Sequence, residues 1–141
     1  VDPADYAAIY YAGGHGAMWD LPDAAQINQM TAMIFESEGI VGGVCHGPAG
    51  LVNVTLSDGS YLVAGRTVSA FTNEEEEAAD ATDIMPFLLE TRLRERGATF
   101  TEGPKWEAHV AESGRLITGQ NPASAEGVAE AMVRALSKPP Q

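Results

Sequence analysis

The sequence lacks several features that mark large classes of protein. Its 141 residues include a single cysteine, which excludes an internal disulfide framework and suits a reducing compartment. No apolar run approaches the roughly 18 residues that a membrane-spanning helix needs. The sequence therefore predicts a cytoplasmic protein without a membrane span.

Positive charge is also scarce. Only 8 lysines and arginines stand against 20 aspartates and glutamates, so the formal net charge is −12. Nucleic-acid binding relies on arrays of lysine and arginine on phosphate, and an anionic membrane repels an acidic surface. We therefore expect neither a nucleic acid nor a membrane as a partner.

What the chain does contain is enough apolar sequence, 45% of its residues, for one domain with a hydrophobic core. Apolar runs alternate with helical patterns, which is typical of a doubly wound α/β fold with ligands at the carboxyl ends of its strands. Asp23 is the expected N-cap of the first long helix, and Gly39 its expected C-cap. The predicted elements are strands at 6–12, 40–44, 98–101, 109–111 and 115–118, helices at 24–38, 84–96 and 122–136, and a mobile tail at 137–141.

The central feature is the buried strand 40–44, which ends at Cys45. His46 and Gly47 follow, and Pro48 begins a helix. A strand, a sharp turn carrying a nucleophile and a helix form the layout of a nucleophile elbow. We therefore predict that Cys45 is a nucleophile, with a thiol pKa lowered by the helix N-terminus and a matching sensitivity to oxidation. A buried structural thiol is the alternative.

Four motifs resemble those of the DJ-1/PfpI superfamily, which is related to class I glutamine amidotransferases. They are the glycine loop at 11–20, the VCHGPA nucleophile motif at 44–49, and FTNEEE at 71–76 with TGQNPAS at 118–124. The last two are typical of the branch of heat-shock protein 31 and glyoxalase III. The resemblance spans nearly the whole chain and implies a flavodoxin-like, doubly wound parallel sheet flanked by helices.

Domains of this family begin with a βαβ portion that has no counterpart in residues 1–141. In the family that portion supplies a strand, flanking helices and a glutamate close to the nucleophilic sulfur. We therefore expect a single, N-terminally truncated DJ-1/PfpI-like domain: a truncated product, one piece of a cleaved protein or the product of an incomplete gene. A homodimer, or association with the missing N-terminal segment, is the expected assembly.

The resemblance also implies roles for the residues around the cysteine. His46 is the expected base, and the acid that orients it follows Phe71 by five positions, which gives Glu76. A slip of one residue, to Glu75, is the alternative. The backbone N–H groups of Gly14 and His46 are the expected oxyanion donors.

The acidic run at 74–77 contains three further glutamates beside Glu76. Its other members are expected to be solvated charges in a helix capped by Asn73: Glu74, Glu75 and Glu77.

Three residues of the glycine loop, Gly13, His15 and Trp19, are expected to contact the substrate. The glycines let a ligand approach the backbone closely, whereas Trp19 could equally pack in the core. In some relatives a histidine of this loop joins a metal site, but the partner ligands lie in the N-terminal portion. A single histidine is poor evidence for a metal, so we expect neither a metal nor a cofactor.

The implied activity is that of a glutathione-independent glyoxalase, which converts methylglyoxal to D-lactate through a hemithioacetal on Cys45. His46, or the glutamate of the N-terminal portion, would shuttle the proton. The substrate would be a small dicarbonyl compound. Two alternatives stay open: an amidase or deglycase that uses the same thiolate, and a stress-response holdase chaperone with an exposed apolar patch.

Overall fold

The structure, a computed structural model, describes residues 1–138, so residues 139–141 of the predicted tail lie outside the described part. Its main sheet has the spatial order β1 (Ala8–Tyr11), β2 (Ile40–Val44), β6 (Leu116–Gly119) and β5 (Val110–Ser113). The first three strands run parallel, and β5 pairs antiparallel with β6. A smaller parallel pair joins β3 (Thr67–Val68) to β4 (Thr99–Phe100).

Helices lie on both faces of the main sheet. The α-helices are α1 (Ala17–Asp20), α2 (Ala25–Glu36), α3 (Asn73–Ala78), α4 (Leu89–Glu95) and α5 (Ala125–Leu136), and 3-10 turns occupy Pro3–Asp5, Gly47–Leu51 and Pro122–Ser124. The predicted α/β class, with a mostly parallel sheet flanked by helices, is confirmed. Within residues 1–138, no helix has both the length and the apolar character needed to cross a bilayer.

β2 is the centre of the sheet, and all five of its residues are buried. Because side chains alternate across a strand, the two faces of β2 contribute side chains to two separate hydrophobic cores. Ile40 and Val44 belong to the core under α5, which also contains Ile117, Val128 and Met132. Val41 belongs to the core on the α2 side, with Tyr11, Phe35 and Leu51. Cys45 therefore follows directly on a strand that is buried on both faces.

Both predicted ends of the first long helix are wrong. α2 begins after Ala24, with no capping hydrogen bond from a side chain, so Asp23 is not its cap. At the other end Glu38, rather than Gly39, takes the left-handed conformation, at φ 67°. The N–H of Gly39 donates to the Ile34 carbonyl at 2.7 Å, which closes a Schellman-type end around Glu38.

Several other helices and strands are shorter than the sequence predicts. The helix expected at 84–96 begins only at Leu89, after turns that contain Pro86. A proline disfavours helical geometry in the residue before it, so a helix that runs through Met85 into Pro86 is disfavoured. The first strand is likewise limited to β1, and the last helix is preceded by a 3-10 turn at Pro122–Ser124.

Gly47 offers a direct test of how tightly the turn after β2 packs. A Cβ atom there would lie 2.2 Å from the backbone oxygen of Tyr11, whereas one at Gly16 would meet nothing within 4 Å. We expect Gly47→Ala to lower the free energy of unfolding by about 3 kcal/mol, because the backbone must move. Gly16→Ala should change it by less than about 0.5 kcal/mol. Urea unfolding of both variants checks this, and equal midpoints would contradict the close approach.

Candidate active site

Cys45 lies in a sharp turn immediately after β2, with a left-handed backbone at φ 61°. Hydrogen bonds hold it on both sides: its N–H donates to the Gly119 carbonyl, and its carbonyl accepts from the Phe71 N–H, each at 3.0 Å. A left-handed conformation is strained for a residue with a side chain and persists only where the surroundings impose it. This is the backbone of a nucleophile elbow.

The sulfur lies against the glycine loop that follows β1. Backbone N–H groups of Gly14 and His46 donate hydrogen bonds to Sγ of Cys45. Gly14 has φ 117°, a conformation that favours glycine, and a Cβ on Gly13 would lie 2.9 Å from Cβ of Cys45. The two residues expected to donate to an oxyanion are therefore side by side at the sulfur.

His46 is fully buried beside Cys45. Its Nδ1 lies 3.4 Å from Sγ of Cys45, and its Nε2 lies 2.8 Å from Oε2 of Glu76. An ionised carboxylate only accepts hydrogen bonds, so Nε2 carries the proton and Nδ1 presents a lone pair to the thiol. Burial, partly offset by Glu76, lowers the pKa of His46 and keeps its imidazole neutral. This arrangement suits a general base.

Glu76, and not the alternative Glu75, is the acid beside His46. It belongs to α3, whose N-cap is Thr72 rather than the expected Asn73. Thr72 and Glu75 form a capping box, in which each side chain satisfies the other residue's backbone N–H. That cap fixes the start of α3 and thereby aims Glu76 at the histidine.

Glu75 is fully buried, so its interpretation as a solvated charge is wrong. Its Oε1 accepts from the Thr72 N–H, and its Oε2 accepts from Nδ2 of Asn121 at 2.8 Å and from the Trp106 N–H at 2.9 Å. Burial alone would raise the pKa of Glu75, but these hydrogen bonds outweigh it and lower the pKa. Only Glu74 and Glu77 are exposed as expected.

Aromatic rings line the site on the side of α3. The Phe71 ring stacks 4.3 Å from the His46 ring and lies 5.7 Å from the rings of His15 and Trp106. The sequence did not indicate Trp106 as a site residue. Its backbone is in a left-handed conformation at φ 67°, and its backbone N–H donates to Glu75. Trp19, the expected wall of the cleft, is exposed on α1 and takes part in none of these ring contacts.

His15 contacts the same carboxylate as His46. Its Nε2 lies 3.0 Å from Oε1 of Glu76, and the three ligand-type atoms of His15, His46 and Glu76 lie within 4.8 Å of one another. Two imidazoles and a carboxylate are a donor set that a transition metal can use. The hydrogen bonds from both rings to the carboxylate account for the cluster, and we assign no metal to it.

The pKa of the Cys45 thiol is shifted in the direction opposite to the one that the sequence predicts. Burial raises the pKa of Cys45 to about 11, against the hydrogen bonds from His46 and Gly14 and with a further increase from the nearby Glu75 and Glu76 charges. The expected helix N-terminus is only the short 3-10 turn Gly47–Leu51. Two N–H groups do not offset burial and two carboxylates, so the thiol is the resting form.

Comparisons with known proteins identify named relatives of this chain. No protein-family model matches the chain. Glyoxalase 3 of Candida albicans is 33% identical over 142 residues, and the glutathione-independent glyoxalase hsp3102 of Schizosaccharomyces pombe is 36% identical over 140 residues. These matches cover 96% and 94% of this chain but 60% and 58% of the relatives. The chain thus spans about 60% of the length of the curated relatives that it matches.

Solved structures give the same picture. The Rapid Encystment Protein of Francisella tularensis superposes with a TM-score of 0.95 at 38% identity, covering 98% of this chain and 61% of that protein. Glyoxalase III from Candida albicans superposes with a TM-score of 0.91 at 32% identity, covering 96% and 59%. A ThiJ/PfpI domain protein from Brachyspira murdochii, at 21% identity and a TM-score of 0.71, covers 96% and 63% and shares the fold.

Fold and site together define a class: a flavodoxin-like α/β domain with cysteine, histidine and glutamate at the carboxyl end of its central strand. Over the portion that it spans, the chain has the fold of ThiJ/PfpI and DJ-1 proteins. Its relatives are those of the branch of heat-shock protein 31 and glyoxalase III.

The raised thiol pKa makes alkylation of Cys45 strongly pH-dependent. Because the thiolate is the nucleophile, the rate of iodoacetamide labelling should rise about tenfold per pH unit from pH 7 to 10, without a plateau. A short peptide with one cysteine, whose thiol has an ordinary pKa of about 8.5, is the control and should level off within this range. Labelling is followed by intact mass, and Cys45 is the only cysteine. A plateau below pH 8 would restore the lowered pKa expected from the sequence.

The buried carboxylate of Glu75 should contribute to stability. We expect Glu75→Ala to lower the free energy of unfolding by about 3 kcal/mol, because Asn121 and the Trp106 N–H lose their charged acceptor. The exposed neighbour provides a matched control: Glu77→Ala should cost less than about 0.5 kcal/mol. Urea unfolding at neutral pH measures both variants.

The same contribution should depend on pH. The pKa of Glu75 is lower in the folded protein than its ordinary value of about 4.3, so its stabilisation is complete above that pH. It is lost as the pH falls through the folded pKa. The difference in unfolding free energy between the wild type and Glu75→Gln should therefore shrink in acid. A difference that grows below pH 4 would reverse the assigned direction.

Proposed function

We propose that this chain carries the nucleophile of a glutathione-independent glyoxalase that converts methylglyoxal to D-lactate. The observation that supports this most directly is the hydrogen-bonded line from Sγ of Cys45 through His46 to Glu76. Relatives from Candida albicans and Schizosaccharomyces pombe are named glyoxalases. A neutral base with a carboxylate behind it is the arrangement that activates a thiol of high pKa.

In the first step, Nδ1 of His46 takes the Cys45 proton as the sulfur attacks the aldehyde carbon of the substrate. A C–S bond forms, and the carbonyl electrons move to oxygen. The N–H groups of Gly14 and His46, which already point at the sulfur, would stabilise that oxygen. Glu76 stabilises the imidazolium that forms. The thiolate thus exists only at the moment of attack, which is compatible with a resting thiol.

The second step is an internal redox reaction. The proton on the aldehyde carbon is removed to give an enediol, and a proton is delivered to the neighbouring carbon. The first carbon becomes a thioester and the second an alcohol, so no external oxidant is needed. Water then cleaves the C–S bond, which releases lactate and regenerates the thiol. His46, or the glutamate that relatives carry in their N-terminal portion, would shuttle the proton.

The remaining assignments of the site are part of this proposal. Gly13 leaves room beside Cys45, His15 reaches the carboxylate behind the base, and Trp19 would wall the approach to the substrate. A small dicarbonyl compound is the substrate class, as in the named glyoxalases. A homodimer in the cytoplasm is the proposed assembly and place, and sedimentation of the intact protein tests the first of these.

Two other functions rank below the glyoxalase. An amidase or deglycase would use the same acyl-thioester chemistry but release an amine. A holdase chaperone would not need the buried Cys45–His46–Glu76 line, so this geometry gives it no support. The exposed apolar side chains on which a holdase would depend, such as Met33, Ile84 and Val133, belong to three separate segments.

Replacing the nucleophile tests the proposal. In the intact protein, Cys45→Ala should remove D-lactate formation from methylglyoxal, and His46→Gln should reduce it by about 10²–10⁴-fold through loss of the base. Chiral detection of lactate is the measurement. His109→Gln, a matched change on the half-buried histidine that bonds to Thr101, should keep full turnover.

Unchanged lactate formation by Cys45→Ala would exclude the mechanism. Amine release without lactate would favour the amidase or deglycase. Suppression of aggregation that persists in Cys45→Ala, without any turnover in the wild type, would favour the holdase.

A further inference from the structure

Glu76 is shared between two histidines that differ greatly in exposure. Its Oε2 binds Nε2 of His46, which is completely buried, and its Oε1 binds Nε2 of His15, whose side chain is 45% exposed. The carboxylate itself is 2% exposed. The proposed mechanism uses only one of these two hydrogen bonds. The other joins the buried line to the surface of the protein.

The second hydrogen bond limits how the carboxylate can turn. A glutamate side chain has three rotatable bonds, the last of them broad and nearly two-fold. Held only by His46, the Glu76 carboxylate could rotate and carry the imidazole with it. Held also by His15, both oxygens are fixed. The aim of His46 Nδ1 at the Cys45 sulfur depends on this because the same ring carries both nitrogens.

His15 also affects the other side of the sulfur. It follows Gly14 directly, and the Gly14 N–H donates to Sγ of Cys45. The hydrogen bond from His15 to Glu76 therefore attaches the glycine loop to α3, across 61 residues of sequence. The Phe71 ring lies against the His46 ring and meets the His15 ring edge-on, which supports the same arrangement. One exposed side chain thus connects the base, its acid and an oxyanion donor.

We propose that His15 is a positioning residue for the Cys45 nucleophile, which fixes Glu76 through Oε1 and connects the charge state of the buried line to the solvent. This proposal rests on the proposed role of Cys45 as the nucleophile, but not on the identity of the substrate. His15 acts through Glu76 and the glycine loop, and it takes no part in bond formation.

The charges around His15 give the direction of this effect. The titratable groups of the cluster are Glu75 and Glu76 from α3, Cys45 and His46 after β2, and Tyr10 on β1. The rings of His15 and His46 lie 4.2 Å apart, so two positive charges on them repel each other. Beyond the effect of burial, the charge of His15 lowers the pKa of His46, against the increase from Glu76.

Two substitutions separate positioning from charge. His15→Gln keeps an N–H donor of similar reach but cannot become positively charged. His15→Phe keeps an aromatic ring but loses the donor. His109→Gln is the matched control, and His46 and His109 are the only other histidines in the sequence. His15 is partly exposed, so the variants should fold, and urea unfolding of each one checks this.

The measurements are the pH profile of Cys45 alkylation and the imidazole titration of His46 by NMR, with a chelator present throughout. At pH 8, His15→Phe should slow alkylation about tenfold, whereas His15→Gln should stay within about threefold of the wild type. His15→Gln should also raise the pKa of His46, because the repulsion from the second imidazole is lost. His109→Gln should leave both readouts unchanged.

The proposal is overturned if His15→Phe alkylates like the wild type, or if His46 titrates identically in the wild type and His15→Gln. These readouts do not involve turnover. If they behave as expected but no lactate forms from methylglyoxal, the glyoxalase assignment fails and the role of His15 stands. If lactate forms but His15→Phe behaves like the wild type in every assay, the glyoxalase assignment stands and the proposed role of His15 fails.

Discussion

The hydrogen bond between Glu76 and His46 is the interaction on which the rest of the site depends. A charged carboxylate at 2% exposure is costly unless donors surround it, and the protein supplies two imidazole N–H groups. Meeting that requirement explains the position of α3, because its capping box at Thr72 holds the helix where Glu76 reaches His46. The neighbouring residues Cys45 and His46 can face each other because the left-handed turn at Cys45 brings both side chains to one cleft.

Close packing between two loops is the second constraint. β1 and β2 are parallel neighbours, so the loops that follow them meet at the same edge of the sheet. Glycines make this approach possible, since Gly47 lies against the backbone of Tyr11 and Gly13 against Cys45. The result places backbone N–H groups at the sulfur without any help from a side chain. A site built in this way is rigid before a substrate arrives, which is the condition for electrostatic stabilisation of an oxyanion.

The electrostatic character of the site follows from burial. Two carboxylates, Glu75 and Glu76, lie close to the thiol and favour its protonated form, and only Gly14 and His46 oppose them. Each carboxylate has a different task. Glu75 binds Asn121 and the backbone N–H of Trp106, whereas Glu76 binds the imidazole of His46. In the proposed mechanism the thiol depends on concerted proton transfer to His46, so the orientation of that one ring would control reactivity.

The sequence by itself determined the α/β class, the buried strand that ends at Cys45, the glycine loop and the order of the motifs, because these depend on local pattern and turn chemistry. Helix ends were less predictable, as Glu38 shows by taking the conformation expected of Gly39. The resemblance indicated Glu76, with Glu75 as the alternative, and placed His15 in the site, and the tertiary structure decided which glutamate faces His46. Only the tertiary structure showed that Glu75 is buried and that Trp106 joins the site. The contacts responsible span 30 to 61 residues. Four consecutive glutamates look alike to any local pattern, and only the packing of α3 against distant loops distinguishes them.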